Sequence, residues 1–259
     1  MDNLVFPQKL CLSPDGSKLF VMDQGFDDNY GEKNPRIEVL HANDGTYVQT
    51  IGGGGQIEMP IDICTSRDGR ELFVIDDGYD HTYIKVFNTS NGTLSRTINC
   101  HRGARDICVS SDELFYFAEE TIFVLNSIDG TRIQEIYIPC LEYNIRSICI
   151  SQNDELFAVC NRNIVVMDLF GTHLQTIVVD ENLNPFYIRV SRDTLFALCG
   201  DLHDGFITYI MEFDIYDDRT DVRTIDTIEE NGPFSLCASS NRELFVAYPF
   251  DKLIKVLQI

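Results

Sequence analysis

The sequence predicts an all-β fold, and three observations lead to that prediction. Short runs rich in Ile, Val, Leu, Phe and Tyr recur along the whole chain, and these residues suit a pleated, half-buried strand. Asp-Gly and Asn-Gly pairs lie between the runs, where tight turns require a positive φ. No stretch carries apolar residues at i, i+3, i+4 and i+7 over the length of a helix. The chain has 259 residues, 44% of them hydrophobic, which is enough to bury a sizeable core.

The runs belong to an internal repeat with a period in the forties. Its clearest copies are Leu10–Val21 and Ile63–Val74, which share a Cys, a Ser two residues later and a Leu-Phe-Val ending. The anchoring serine recurs at Ser13, Ser66, Ser110, Ser151, Ser191 and Ser239. Each copy continues with two more strands around a second turn, so that one unit holds four strands, called a, b, c and d in chain order. Six such units predict a six-bladed β-propeller of four-stranded antiparallel blades.

We expect a single propeller domain over residues 1–259. Its blades are expected at about 7–51, 60–98, 104–136, 145–177, 185–225 and 233–259. The last blade is short, because the chain ends with its strand c and only residues 1–6 precede strand a of the first blade. Either a minimal strand at Asn3–Phe6 closes the ring, or the last blade has three strands. In the second case the edge at Leu253–Ile259 is open to strand addition by a partner or a second copy.

Three segments of the second unit carry a family resemblance. They are Gln56–Ile63, which covers a linker and strand a, the Leu-Phe-Val-x-Asp pattern of Leu72–Asp76, and the strand Ile84–Phe87. On these segments the chain resembles the NHL-type and related six-bladed propeller repeats. The resemblance implies a binding platform, because families of this kind usually bind partners, while a minority are hydrolases or lyases.

The charge and the N-terminus narrow the class of partner. The chain has 41 Asp and Glu against 20 Lys and Arg, a net charge of −21. This disfavours nucleic acid and anionic membranes, which are bound through clustered basic residues. The N-terminus has no basic segment followed by an apolar one, and no apolar run is long enough to span a bilayer. We therefore expect an intracellular, cytoplasmic protein.

The nine cysteines are predicted to form no disulfides. Their number is odd and they include no Cys-x-x-Cys pair. Five of them recur at one position of strand a, where they are interpreted as small buried apolar residues: Cys11, Cys64, Cys108, Cys149 and Cys237. The sixth copy has Arg189 there. A lone arginine in such a ring requires a carboxylate or carbonyl partner, and it either serves the structure or faces a ligand.

The loops of one face differ between the copies. In a propeller the b–c loops and d–a linkers share one face, called here the upper face, and the a–b and c–d turns share the lower face. The Asp-Gly pairs fall on the lower face and are explained by turn chemistry. Units 1, 2 and 5 have longer, acidic b–c loops on the upper face, where binding function usually lies. Their candidate binding residues are Asp23, Phe26, Asp27, Asp28, Asp76, Asp77, Tyr79, Asp80, His81, Asp201, His203 and Asp204.

These loops have three open interpretations. They could bind a basic protein or peptide, because an exposed aromatic ring supplies contact area and a carboxylate supplies selectivity. They could hold a hard cation such as Ca²⁺, although the spacing does not match a calcium loop. They could also be solvated loops with no binding role.

A second candidate group is expected at the upper mouth of the channel: Asp62, Arg105, Asp106, Arg146 and Arg189. Arg105 and Arg146 hold the same position in units 3 and 4. The favoured interpretation is a set of ion pairs between neighbouring blades, and the other is a small anion site.

The functional prediction is a non-catalytic propeller scaffold that binds a basic protein or peptide and needs no cofactor. The sequence contains no nucleophile elbow, zinc-protease helix or phosphate-binding loop motif. The alternative is a Ca-dependent lactonase- or phosphotriesterase-like hydrolase. Resemblance to six-bladed calcium lactonases implies acidic and amide ligands at the channel mouth, and Asp62, Asp106, Asn144 and Asn184 are in that zone.

Overall fold

A computed structural model describes residues 4–25, 34–111, 113–118, 120–138, 145–205, 207–215, 222–229 and 232–259. These ranges contain six separate antiparallel sheets and no helix, hence none long and apolar enough to cross a membrane. Five sheets have four strands and one has three. The prediction of an all-β, six-bladed propeller with an incomplete last blade is confirmed.

The strands are numbered in chain order, and each sheet is one blade. Blade 1 consists of β1 (Pro7–Leu12), β2 (Lys18–Asp23), β3 (Arg36–His41) and β4 (Tyr47–Ile51). Blade 2 consists of β5 (Pro60–Thr65), β6 (Glu71–Asp77), β7 (Thr82–Asn88) and β8 (Leu94–Asn99). Blade 3 consists of β9 (Ala104–Val109), β10 (Glu113–Ala118), β11 (Thr121–Asn126) and β12 (Arg132–Tyr137).

The second half of the chain repeats this order. Blade 4 consists of β13 (Ile145–Ile150), β14 (Glu155–Cys160), β15 (Asn163–Asp168) and β16 (His173–Val178). Blade 5 consists of β17 (Leu183–Ser191), β18 (Thr194–Asp201), β19 (Ile207–Asp214) and β20 (Val222–Glu229). Blade 6 consists of β21 (Ser235–Ala238), β22 (Glu243–Tyr248) and β23 (Leu253–Gln258).

The first strands of the six blades form a closed ring. Each contacts the first strand of the next blade, and β21 of blade 6 contacts β1 of blade 1. Apolar clusters fill the space between neighbouring blades, including the junction of blade 6 with blade 1. A phenylalanine of strand b is fully buried in five blades: Phe20, Phe73, Phe115, Phe157 and Phe245. The core therefore lies between the sheets, and the channel lies inside the ring of first strands.

Some of the excess acidic residues are aspartates in the lower-face turns. In four of them an aspartate oxygen accepts a hydrogen bond from the amide two residues later. The pairs are Ser17 to Asp15 (3.0 Å), Thr46 to Asp44 (2.9 Å), Arg70 to Asp68 (3.0 Å) and Thr131 to Asp129 (2.9 Å). Hydrogen bonds from Ser13 and Ser17 lower the pKa of Asp15 to about 2. These carboxylates are explained by turn geometry.

Of the two outcomes predicted for blade 6, the three-stranded one is found. Leu4, Val5 and Phe6 form no strand. Asn3, the first residue of the expected minimal strand, lies outside the described residues.

Candidate functional site

The channel is lined by the cysteine ring. The five strand-a thiols border a cavity of about 290 Å³ that opens towards the lower face. Burial raises the pKa of each thiol, that of Cys149 to about 12, so the ring is protonated at neutral pH. Protonated thiols are poor nucleophiles and metal ligands, which agrees with their interpretation as small apolar residues.

Seven cysteines of the described ranges are free: the five of the ring, Cys100 and Cys199. The prediction of unpaired cysteines is confirmed at these positions. Cys160 departs from it, because this residue is disulfide-bonded. It lies at the end of strand b, outside the repeated position on which the prediction was based.

Arg189 reaches out of the cysteine ring towards two buried carboxylates of blades 2 and 3. Its guanidinium nitrogens lie 3.2 Å from Asp62 Oδ2 and 3.0 Å from Asp106 Oδ1, and they also donate to the carbonyl oxygens of Ile148 and Ile188. Both aspartates have side chains exposed by only a few per cent. Arg189 therefore has both kinds of partner that the sequence analysis required, and its role is to join blade 5 to blades 2 and 3.

Lys9 and Tyr187 complete this cluster, and neither was selected from the sequence. Lys9 Nζ lies 3.8 Å from Asp62 Oδ1. The Tyr187 ring lies against both cations, 4.3 Å from the Lys9 ammonium and 4.3 Å from the Arg189 guanidinium. Such cation–π contacts strengthen where water is excluded. The five side chains form one polar plug above the cysteine ring.

The plug continues as a belt of hydrogen bonds between first strands. In four blades, the residue two positions before the ring cysteine has a side-chain oxygen. This oxygen accepts a hydrogen bond from a backbone amide in the first strand of the next blade. These bonds join Ile107 to Asp62 (3.0 Å), Ile148 to Asp106 (2.9 Å), Ile188 to Ser147 (3.2 Å) and Leu10 to Ser235 (3.1 Å). The belt satisfies buried amides and fixes the spacing of the blades.

The protonation states of the plug residues disfavour the binding of a metal cation. Burial, together with the charge of Asp106, raises the pKa of Asp62 to about 8. Burial also acts to raise the pKa of Asp106, but the Arg189 charge outweighs it, and that pKa lies below its usual range. At neutral pH one carboxylate thus faces two cations. These residues do not fit Ca²⁺, which requires several unneutralised oxygen ligands. No cluster in the described ranges has the ligands to hold a metal ion, and Asn144 lies outside them.

The prediction that Arg105 and Arg146 form ion pairs between neighbouring blades is wrong in the part of the chain that the structure describes. Both side chains are exposed, and neither forms an ion pair with a described carboxylate. The reason is the pleat of the strand. Arg105 directly precedes Asp106, and successive side chains of a strand point in opposite directions. Asp106 therefore faces the channel and pairs with Arg189.

Asp23 and Asp76 are structural groups and do not face a partner. They are exposed by 0% and 1%. Asp76 accepts the amides of Glu58 (3.0 Å) and Met59 (2.7 Å), and Asp23 accepts the corresponding amides of the segment that leads into blade 1. Each also pairs with a basic side chain of its own blade. These aspartates hold the linker that enters strand a.

The remaining loop residues of blade 2 form a groove on the upper face, called here the blade-2 groove. Its cavity of about 430 Å³ is lined by Glu58, Tyr79, Asp80, His81 and Lys85, among others. Tyr79 is 86% exposed, and Asp80, His81 and Glu58 are also exposed. Lys85 is partly buried and donates to Asp76 and to a linker carbonyl. The groove therefore presents an exposed aromatic ring beside acidic side chains, Glu58 and Asp80, that form no ion pair among the described residues.

The other predicted loop residues have different surroundings. Asp201 Oδ1 accepts the amides of His203 (2.7 Å) and Asp204 (3.0 Å), so it closes its own turn. His203 Nε2 lies 3.1 Å from Asn182 Oδ1. Asp77 accepts a hydrogen bond from Thr82. Phe26, Asp27 and Asp28 of the blade 1 loop lie outside the described residues.

Glu58 was missed in the sequence because it lies in a linker and not in a b–c loop. The linker and loop meet closely, since a Cβ added at Gly78 would lie 2.9 Å from Glu58 Oε2. The repeat could have indicated Glu58, because d–a linkers and b–c loops lie on the same upper face.

The chain is similar in structure to known propellers. A chain of hydrazine synthase from Kuenenia stuttgartiensis superposes with a TM-score of 0.67 at 16% identity, covering 99% of this chain and 96% of that chain. The WD40 repeats of RRP9 superpose with a TM-score of 0.67 at 10% identity, covering 96% and 89%. No family model and no curated protein matches the sequence.

These similarities define the class of protein as a β-propeller. At such low identity they show the fold alone, and they do not distinguish the NHL-type repeat from other propeller repeats.

Proposed function

We propose that this protein is a non-catalytic propeller scaffold that binds a basic protein or peptide segment in the blade-2 groove. The observation that carries the proposal is Tyr79, which is 86% exposed beside Glu58 and Asp80, two carboxylates that pair with no basic side chain among the described residues. A large aromatic ring held in solvent loses contact with water when a partner covers it, and tyrosine is enriched in interfaces for this reason.

Charge sets the class of partner. The groove contains Glu58, Asp76, Asp80 and one cation, Lys85, whose ammonium is already bonded to Asp76. The chain as a whole carries −21. A Lys- or Arg-bearing segment would be steered towards this face and would pair with Asp80 and Glu58. The unreactive thiols of the channel and its neutralised carboxylates favour a scaffold over a hydrolase.

The test is fluorescence anisotropy with a labelled peptide library in which Lys and Arg alternate with apolar residues. Tyr79→Ala and Asp80→Asn should each weaken binding about tenfold, since central aromatic and charged contacts dominate interfaces. Affinity should fall as salt rises. Tyr47→Ala is the matched control, because Tyr47 is 63% exposed on the outer strand of blade 1. Equal losses for Tyr47→Ala and Tyr79→Ala would refute the groove as the site.

A further inference from the structure

Blade 6 exposes an edge that is covered in the other five blades. In those blades strand c is bonded to strand d, whereas β23 has a bonded neighbour only in β22 among the described residues. The effect is measurable at one register position. Val256 is 42% exposed, while the valines that hold its place in blades 1 to 4 are exposed by 1% or less. Those residues are Val39, Val86, Val124 and Val166.

The described residues 4–6 do not supply the covering strand. The amides of Val5 and Phe6 bond to Asp23 as those of Glu58 and Met59 bond to Asp76, so this segment occupies the place of a linker.

The first four blades define the sequence that covers such an edge. Opposite the buried valine stands Gln or Arg, next comes Thr or Glu, and the following residue is an Ile that faces an Ile of strand c. All four strands also have a bulge before the Gln or Arg. The triplets are Gln49-Thr50-Ile51, Arg96-Thr97-Ile98, Gln134-Glu135-Ile136 and Gln175-Thr176-Ile177.

The Gln or Arg of this triplet bonds the next blade. Its side chain donates to the carbonyl that follows strand c there. The bonds run from Gln49 to Thr89 O (2.7 Å), from Arg96 to Ser127 O (2.6 Å) and from Gln134 to Leu169 O (2.6 Å). The corresponding carbonyl of blade 1 is that of Ala42, whose amide bonds to Ser17 O as that of Thr89 bonds to Arg70 O. No described side chain donates to it.

The Ile of the triplet packs under a glycine turn of the next blade. A Cβ at Gly130 would lie 2.6 Å from Ile98 Cγ2, and one at Gly171 would lie 2.6 Å from Ile136 Cγ2. Gly45 holds this turn position in blade 1, with a φ of 69°. The junction of blades 6 and 1 therefore has the receiving groups of the other junctions.

We propose that β23 binds an extended partner segment with the pattern Gln/Arg–Thr/Glu–Ile, which completes blade 6 as its fourth strand. The segment runs antiparallel to β23, with Gln or Arg opposite Val256 and Ile opposite Ile254. The middle residue is opposite Lys255, which is exposed, so Glu is favoured there as a cross-strand partner. This site is separate from the blade-2 groove, and neither proposal depends on the other.

The probe is a labelled peptide with the sequence of residues 131–138, which contains Gln134, Glu135 and Ile136. Binding is measured by anisotropy, and amide hydrogen exchange of the protein locates it. We expect exchange to slow along β23, because the edge amides gain partners. The peptide with Asp in place of Ile136 should bind at least tenfold more weakly.

Two protein variants and one control variant test where on the protein the peptide binds. Val256→Asp should weaken binding at least tenfold, whereas Val222→Asp, at a residue 44% exposed on the outer strand of blade 5, should leave it unchanged. Lys255→Glu should also weaken binding, and a peptide with Lys in place of Glu135 should recover it. This charge exchange needs no change in the apolar edge.

Three results would overturn the proposal. They are absence of binding, binding that Val256→Asp and Lys255→Glu leave unchanged, and a stable dimer of the free protein that Val256→Asp dissociates, which would assign the edge to a second copy. Tyr79→Ala should retain full affinity for the strand peptide. A loss in that variant would place the peptide in the blade-2 groove instead.

Discussion

The acidic residues of the channel plug and those of the blade-2 groove differ in whether their charge is already neutralised. Asp62 and Asp106 are buried within 4 Å of Arg189, and Asp62 also lies within 4 Å of Lys9. Asp80 is exposed and forms no ion pair with the described residues. The net charge of the chain therefore does not locate a binding surface. The proposed binding surface rests instead on exposed acid that no described basic side chain pairs.

The same contrast exists within a single loop. Asp76 and Asp80 are four residues apart, yet Asp76 accepts two backbone amides and pairs with Lys85 at 2.5 Å. A carboxylate that satisfies buried amides costs stability when it is removed, whereas an exposed one does not. Mutation can therefore separate structural acids from binding acids.

The largest effect is expected in the plug. Arg189→Leu would remove the cation that contacts both Asp62 and Asp106, and breaking a buried pair in this way costs about 3–5 kcal/mol. Urea unfolding measures the loss. The double variant Arg189→Leu, Asp106→Asn should recover part of it, because the buried charge is then removed. A single-variant loss below about 1 kcal/mol would show that the plug does not hold the ring together.

A smaller effect is expected in the linker. Asp76→Ala leaves the amides of Glu58 and Met59 without their acceptor and should cost about 1–3 kcal/mol. Asp80→Ala should change the free energy of unfolding by less than about 0.5 kcal/mol. Both are measured by urea unfolding. Equal costs for the two variants would contradict the distinction between structural and binding acids.

The pH dependence tests the proton on Asp62. Burial and the charge of Asp106 raise its pKa to about 8 in the folded protein, whereas an unfolded aspartate has a pKa of about 4. The folded state thus holds a proton that the unfolded state releases. The contribution of this group is complete below about pH 4 and is lost as the pH rises towards 8, by at most about 1.4 kcal/mol per pH unit.

Asp62→Asn should remove that slope and retain an oxygen for the Ile107 amide. The measurement is urea unfolding of both proteins between pH 5 and pH 8, about the range in which the two pKa values differ. The variant should gain relative stability as the pH rises. A parallel dependence in the two proteins would show that Asp62 is ionised in the fold.

The smallest stability effect is expected for Tyr79→Ala. A side chain that is 86% exposed contributes little to packing, so the change should be within about 0.5 kcal/mol. Thermal unfolding followed by circular dichroism measures it. A large destabilisation would show that the ring supports the loop and is not held free for a partner.

Much of the fold could be predicted because it depends on local patterns that repeat. The recurring Cys-x-Ser and Leu-Phe segments located strands a and b, and the Asp-Gly pairs located the turns. For blade 6 the sequence left two outcomes open, a minimal strand at Asn3–Phe6 or three strands, and the described residues form three strands. The requirement of Arg189 for a carboxylate or carbonyl followed from its place among small apolar residues.

Only part of the plug could be predicted, because Asp62, Asp106 and Arg189 were expected at the channel mouth whereas Lys9 and Tyr187 were not selected. Lys9, Asp62, Asp106 and Tyr187 hold one repeat position, yet they differ in chemical type and are brought together only by closure of the ring. No sequence motif indicates that these residues form one cluster. The structural roles of Asp23 and Asp76 were also missed. In the sequence, an aspartate that accepts hydrogen bonds from a linker cannot be distinguished from an exposed aspartate that is free to bind a partner.

Binding of a partner to the exposed acid and aromatic ring of the blade-2 groove is best tested by amide chemical-shift mapping. The ¹⁵N-labelled protein is titrated with the tightest-binding Lys/Arg peptide. We expect shifts concentrated at Glu58–Met59 and Tyr79–His81, and we expect them to disappear in Tyr79→Ala. Shifts confined to the channel or to other blades, with the groove unchanged, would contradict binding in the groove.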